Sequence, residues 1–314
     1  EVLSNRAIFS MIFLVVTPFI LSTFVYNLST SLNQTIYIRI MKDIKGLNSS
    51  EAATLYGIYS GKPMVIINIP IAISAAVSSA MIPTISGTFA TGDREGTRNK
   101  VALAIQATML VAIPAAVGLG VLARPVTQLL FPQPESLDMA ASLLRLLSVS
   151  VVFYSLSTLT NAVLQGIGEV NRPVIHAAIA LVIQTVVLVP MLMFTEFNLY
   201  SMVTATLVYS ACMCVLNQWS VRKHLDYQQE IMRSFVLPGL SAAVMGGITW
   251  ALYRLLFAAL GSNVIALVVS IAAAVVVYFA LVLKTGALGR EALQSIPGGR
   301  KLGELAERLH LLSE

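Results

Sequence analysis

The sequence predicts an all-α, polytopic membrane bundle of about eight transmembrane helices, and three observations predict it. Of 314 residues, 57% are hydrophobic and 11% charged, against roughly 25% charged in soluble domains. A soluble globule so poor in charge would expose an apolar shell and aggregate. The charges are also segregated. Uncharged runs cover 7–38, 63–92, 101–123, 146–168, 173–195, 197–221, 234–253 and 255–283, and each reaches the roughly 20 residues that cross about 30 Å of hydrocarbon. Finally, the runs are continuously apolar and not alternating, which excludes an outer-membrane barrel and leaves helices to satisfy every backbone group in lipid. Little apolar sequence is left over for a second, aqueous domain. The chain begins with Glu1 and carries no signal-peptide pattern, so it reads as a segment of a longer polypeptide starting just before a transmembrane helix.

The first span carries a polar stripe. Thr23, Asn27, Thr30 and Gln34 recur at helical spacing, and Ser22, Ser29 and Asn33 widen that face. Polar groups in hydrocarbon are costly unless they face a cavity or one another, so the stripe lines either a water-filled cavity or an interhelical hydrogen-bonded seam. The second span opens with Gly57, Gly61, Lys62, Pro63, Asn68 and Pro70. The two prolines remove backbone donors and mark a kinked helix or hinge, while Gly57 and Gly61 permit close helix approach. Lys62 is a cation inside a span.

The third span begins after the charged loop at 92–100 and carries no ionisable group. The fourth repeats the polar theme with Ser148, Ser155, Thr158, Asn161 and Gln165, preceded by Arg145. An intramembrane cation is a functional-site hypothesis by default, although arginine near a helix end also snorkels to the interface. Together Lys62 and Arg145 would give an otherwise neutral cavity the positive charge that suits a phosphate or diphosphate. The fifth and sixth spans hold His176, which reads as a helix-start residue, and the Cys212/Cys214 pair, which lacks acidic or histidine partners and reads as small buried residues. Glu196 lies in the short turn between them. The last two spans are plain. Beyond about 285, Leu302, Leu305, Leu309 and Leu312 recur at helical spacing opposite charged residues, reading as either an amphipathic helix on the membrane surface or a solvated cap.

No acid lies in mid-span, and no catalytic, nucleotide or metal motif is present. The expectation is therefore a non-enzymatic protein with no cofactor, no metal and no nucleic-acid partner; its basic residues do not cluster with aromatics as a nucleic-acid surface would. If the first helix enters from the cytoplasm, the inner segments hold 13 of the 20 basic residues and the outer ones five, namely Arg39, Lys42, Lys45, Arg124 and Arg254. The positive-inside rule then places both ends of the chain in the cytoplasm, and the net charge of +5 is a topology signal.

The motif order carries a resemblance. TLYGIYSGKPMVIINIPIAISAAVSSAMIPTIS (54–86), GDREGTRNK (92–100), AIPAAVGLGVLARPVTQLLF (112–131), TNAVLQGIGEVNRPV (160–174) and EALQSIPGGRKL (291–302) resemble the second half of polysaccharide transporters of the stage V sporulation protein B group. That group belongs to the multidrug/oligosaccharidyl-lipid/polysaccharide (MOP) exporter superfamily, which also holds MurJ-type lipid II flippases. The resemblance implies two pseudo-symmetric lobes and alternating access. Residues 1–220 would be the six-helix second lobe, 221–284 two additional helices and 285–314 a cytoplasmic tail, with an N-terminal lobe missing. It implies a lipid-linked anionic oligosaccharide as substrate and the bacterial cytoplasmic membrane as location. The cavity residues would be Lys62, Arg145, Asn27, Thr30, Gln34, Asn68, Asn161 and Gln165, with Pro63 and Pro70 as hinges. The basic cavity residue of MurJ-type proteins in this helix aligns near Val65, one turn from Lys62. Two other functions stay open at this point: a multidrug cation antiporter of the same superfamily, and a non-transporting scaffold for cell-wall or sporulation assembly.

Overall fold

The computed structural model describes residues 5–287; the amphipathic tail expected at 285–314 lies, beyond Ala287, outside the described residues. All regular structure among the described residues is helical. The helices are α1 (Asn5–Asp43), α2 (Ser49–Gly61), α3 (Pro63–Ala90), α4 (Arg94–Val121), α5 (Ala123–Leu130), α6 (Pro134–Leu147), α7 (Ser150–Gly166), α8 (Arg172–Phe194), α9 (Leu199–Leu225), α10 (Leu237–Leu260) and α11 (Asn263–Lys284), with a π-helical turn at Met232–Val236 before α10. Eight spans are expected. Six helices among the described residues are long and apolar enough to cross a membrane, with α2 and α3 counted as one, or seven if the α6–α7 pair is a single bent span. α1, over the first expected span, is a 39-residue helix that packs against α8.

Local chemistry sets the helix ends. Prolines at the first position of α3 and α6 and the second of α8 lack only donors that a helix start leaves unpaired anyway, whereas Pro238 of α10 follows directly on the π-helical turn. Asn48 caps α2 in a reciprocal capping box with Glu51, and Asp93 caps α4 by accepting from the Gly96 amide at 2.8 Å. Pro63 thus opens α3 after a break at Lys62, whose backbone (φ −120°, ψ −78°) ends α2. Pro70 sits inside α3, which continues through it.

The fourth expected span is where the boundary shifts. The helix starts at Pro134, not near 146, and bends by 47° between α6 and α7. Ser148 and Ser150 donate to the Arg145 and Leu147 carbonyls at 2.8 and 2.6 Å, and such side-chain capture of turn carbonyls bends helices.

Packing runs from α1 through α8, α9 and α7 to α3 and α4, then to α10 and α11. Where α7 crosses α3 the helices approach closely at Gly166, where a Cβ would stand 2.7 Å from Ser86 Oγ. Polar links join the helix ends in two groups. At one end Arg98 donates to the Leu225 carbonyl at 2.5 Å and pairs with Asp226, and Glu169 pairs with Arg172 and His224. This is the basic end. At the other, Lys45 pairs with Glu196 at 2.7 Å.

Candidate functional site

Two concavities flank α3. The first, of about 270 Å3, is polar. Its wall is Asn27, Ser29, Thr30 and Asn33 of α1; Tyr56, Tyr59 and Ser60 of α2; Met64 and Asn68 of α3; Tyr154 of α7; Gln184 of α8; and Met202, Thr206 and Tyr209 of α9. Gln184, 1% exposed, organises it: its amide nitrogen donates to Asn33 Oδ1 at 2.5 Å and its carbonyl accepts from Ser29 Oγ at 3.4 Å, tying α8 to α1. Thr206 donates to the Met202 carbonyl at 3.0 Å, so its oxygen accepts from the Tyr59 hydroxyl at 2.6 Å. The wall is uncharged, and its buried Ser29, Tyr59, Gln184 and Thr206 are hydrogen-bonded, as polar groups in lipid must be.

The second concavity, about 450 Å3, is apolar. α3 contributes Ile66, Ile69, Pro70 and Ile73 to it, α4 contributes Leu110, Val111, Pro114, Ala115 and Gly118, and α10 and α11 close it with Met245, Ile271, Val275 and Phe279. One helix therefore presents Met64 and Asn68 to a polar space and a proline-isoleucine face to an apolar groove.

Of the residues singled out in the sequence, Asn27, Thr30 and Asn68 meet in the polar cavity. Gln34 is exposed on α1. Lys62 stands at the rim: Ser60 and Met64 on either side line the cavity, while its ammonium donates to Gln133 Oε1 of the α5–α6 connection and Ser136 Oγ in the first turn of α6 and lies 6.0 Å from the centre of the Phe131 ring. The structure does not bring Arg145 to it. Arg145 is exposed in the last turn of α6, beside exposed Leu146 and Val149, and lines neither concavity. Pro70 faces the apolar groove.

Asn161 belongs to a separate layer toward the basic end. Asn217 donates to Asn161 Oδ1 at 2.7 Å and to the Ser157 carbonyl at 3.3 Å, while its Oδ1 meets His176 Nδ1 at 2.7 Å. Ser220 Oγ faces His176 Nε2 at 3.2 Å. Gln165 is half-buried one turn beyond Asn161. Sequence reading missed Gln184, Tyr59, Thr206 and the two-sided His176; the available signal was that His176 and Gln184 lie eight residues apart and so share one helix face.

Comparison with known proteins agrees with this architecture. The family model for lipid II flippase MurJ matches residues 16–268. The chain is 28% identical over 255 residues to the lipid II flippase MurJ of Bacillus subtilis (strain 168), covering 77% of this chain and 45% of that protein. It is 29% identical over 224 residues to the probable lipid II flippase MurJ of Bdellovibrio bacteriovorus, covering 68% and 42% respectively. The chain thus spans less than half the length of these two relatives. A multidrug resistance MATE family transporter of the MOP superfamily, solved in an outward-facing conformation, shares the fold at a TM-score of 0.52 and 15% identity, over 89% of this chain and 65% of that one. With a helical membrane bundle, a polar cavity between its helices and a family match over most of its length, the chain belongs to the MurJ lipid II flippase family.

Proposed function

We propose that the protein carries a lipid-linked anionic oligosaccharide, lipid II or a close analogue, from the inner to the outer leaflet of the bacterial cytoplasmic membrane by alternating access. No bond is made or broken. Residues 1–220 form one lobe, 221–284 two additional helices and 285–314 a cytoplasmic tail, and the length that the relatives carry beyond the matched region supplies the opposing lobe. Both ends of this chain are cytoplasmic, because the basic end gathers Arg94, Arg98, Lys100, Arg172, Arg222, Lys223 and Arg233.

One observation carries the reading: α3 separates a polar cavity from an apolar groove. An amphiphile with a sugar head and a long hydrocarbon chain finds complementary walls on the two sides of one helix, about 10 Å apart. Asn27, Thr30 and Asn68 bond the sugar. Lys62 leaves Gln133 and Ser136 to meet the diphosphate, an anionic acceptor that binds the ammonium more strongly than the neutral oxygens it gives up. The lipid chain lies against Pro70 and the isoleucines.

The test is rescue of a bacterium depleted of its own lipid II flippase by the full-length parent. Growth and normal lipid II turnover are expected. Failure of rescue at normal membrane abundance would overturn the assignment.

A further inference from the structure

His176 is the one residue among the described His, Asp, Glu, Lys and Arg that is buried. It lies on the face of α8 that also carries Gln184, two turns and about 12 Å from it. Between the two is an apolar layer of Ala177, Ala180 and Met213 with Tyr209, against which Tyr154 packs. The lobe is therefore stratified. The polar cavity rests on an apolar floor, the floor rests on the His176–Asn217–Asn161 layer, and below that lies the charged group of Glu169, Arg172 and His224.

The hydrogen bonds fix how His176 is protonated at rest. Both amide hydrogens of Asn217 point to acceptors on α7, so its oxygen faces His176, and Nδ1 carries the ring hydrogen. Nε2 then accepts from the Ser220 hydroxyl. That hydroxyl has lone pairs to offer instead. Once a proton binds Nε2, Ser220 accepts from it and turns its own O–H to the carbonyl of the preceding turn. No other partner has to move. The charged groups around the ring are Arg172, one turn away on α8, and the Glu169–His224 pair; His224 Nδ1 meets the Ser220 carbonyl at 2.8 Å and its Nε2 meets Glu169 Oε1 at 3.2 Å. From α7 only the neutral Asn161 and Ser157 reach the layer, through Asn217. Ser220 thus contacts both histidines, the buried one through its hydroxyl and the half-exposed one at the basic end through its backbone carbonyl.

We propose that His176 is a proton-binding site served from the basic end, and that charging it opens the floor of the polar cavity. An imidazolium enclosed by the apolar layer on one side is poorly solvated. Water entering past Met213 and Ala180 relieves that cost, and the same water joins the polar cavity to the charged group below. Substrate head and proton would then use one passage, gated by one side chain.

The test reads the protein directly and needs no flipping activity. The full-length protein, labelled with 15N-histidine and 13C-methyl methionine and held in lipid nanodiscs, is titrated from about pH 8 to about pH 5, the range in which histidines change charge. H176Q identifies the ring by loss of its signals. S220A, which perturbs Nε2 alone, identifies it should H176Q fold poorly, and M213L assigns the methyl. The expected result is one protonated and one bare ring nitrogen at the alkaline end, loss of the bare-nitrogen signal on acidification, and a shift of the Met213 methyl with the same midpoint. A His176 ring that keeps its bare nitrogen throughout, or a Met213 methyl that ignores its titration, would overturn the proposal, whether or not the protein flips lipid.

Discussion

Gln184 shows what one side chain does in this bundle. It is buried, it bonds both Asn33 and Ser29, and it lines the polar cavity. Gln184→Leu keeps the volume but strands both partners, so we expect a loss of about 1–2 kcal/mol, read as a lower melting temperature in detergent, together with reduced substrate transport. Tyr227, in the connection after α9, gives a pH dependence. It is 3% exposed, and burial, reinforced by the charge of Glu230, pushes its phenol up to about 12. An unfolded tyrosine ionises near 10. The fold therefore holds the proton more tightly, and the stability it gains is whole below about pH 10 and drains as pH rises to about 12. Thermal melts across that range should show the loss in the native protein and a smaller one in Tyr227→Phe; equal losses would mean Tyr227 does not contribute. Asn27, Thr30 and Asn68 were legible as cavity residues because their own helices carry several polar groups. Gln184 was not, because an isolated glutamine in an apolar helix acquires meaning only from the helix packed against it.

At the scale of elements, breaks matter more than lengths. The α2–α3 break at Lys62 turns its ammonium toward Gln133 and Ser136, anchoring the α5–α6 connection and the first turn of α6 to the rim. Lys62→Met should loosen that connection and weaken transport, whereas Lys62→Arg, which keeps charge and donors, should retain more activity than Met; equal activity of the two would separate Lys62 from the substrate. Gly246 of α10 lies where a Cβ would meet Val117 of α4 at 2.7 Å. Gly246→Val should therefore push α10 off α4 and cost about 1–3 kcal/mol, measured by unfolding of the purified protein. Helix positions followed from the uncharged runs, since crossing lipid forbids charge over about 20 residues. The α6–α7 bend did not, because serines at 148 and 150 are common in membrane helices and bend them only when their hydroxyls take backbone carbonyls.

Across the whole molecule, the two concavities on opposite sides of α3 make separable demands. A bulky Gly118→Trp in the apolar groove should depress flipping of long-chain lipid-linked substrates while sparing short-chain analogues, whereas Gln184→Leu should depress both; vesicle assays with the two chain lengths distinguish them. Topology is testable independently: single cysteines placed in the short α3–α4 connection at 91–93 should react with an impermeant reagent from the cytoplasmic side only. Composition and charge spacing by themselves determined that this chain is a helical membrane bundle, where most of its spans lie and which end is basic, because lipid imposes those rules on every segment separately. Which polar residues meet, that Arg145 stands apart from them while Lys62 reaches the rim, and that α3 divides a polar space from an apolar one were decided only by tertiary packing. A cavity is built from several helices, and the spacing within one helix does not encode the rotation of its neighbour.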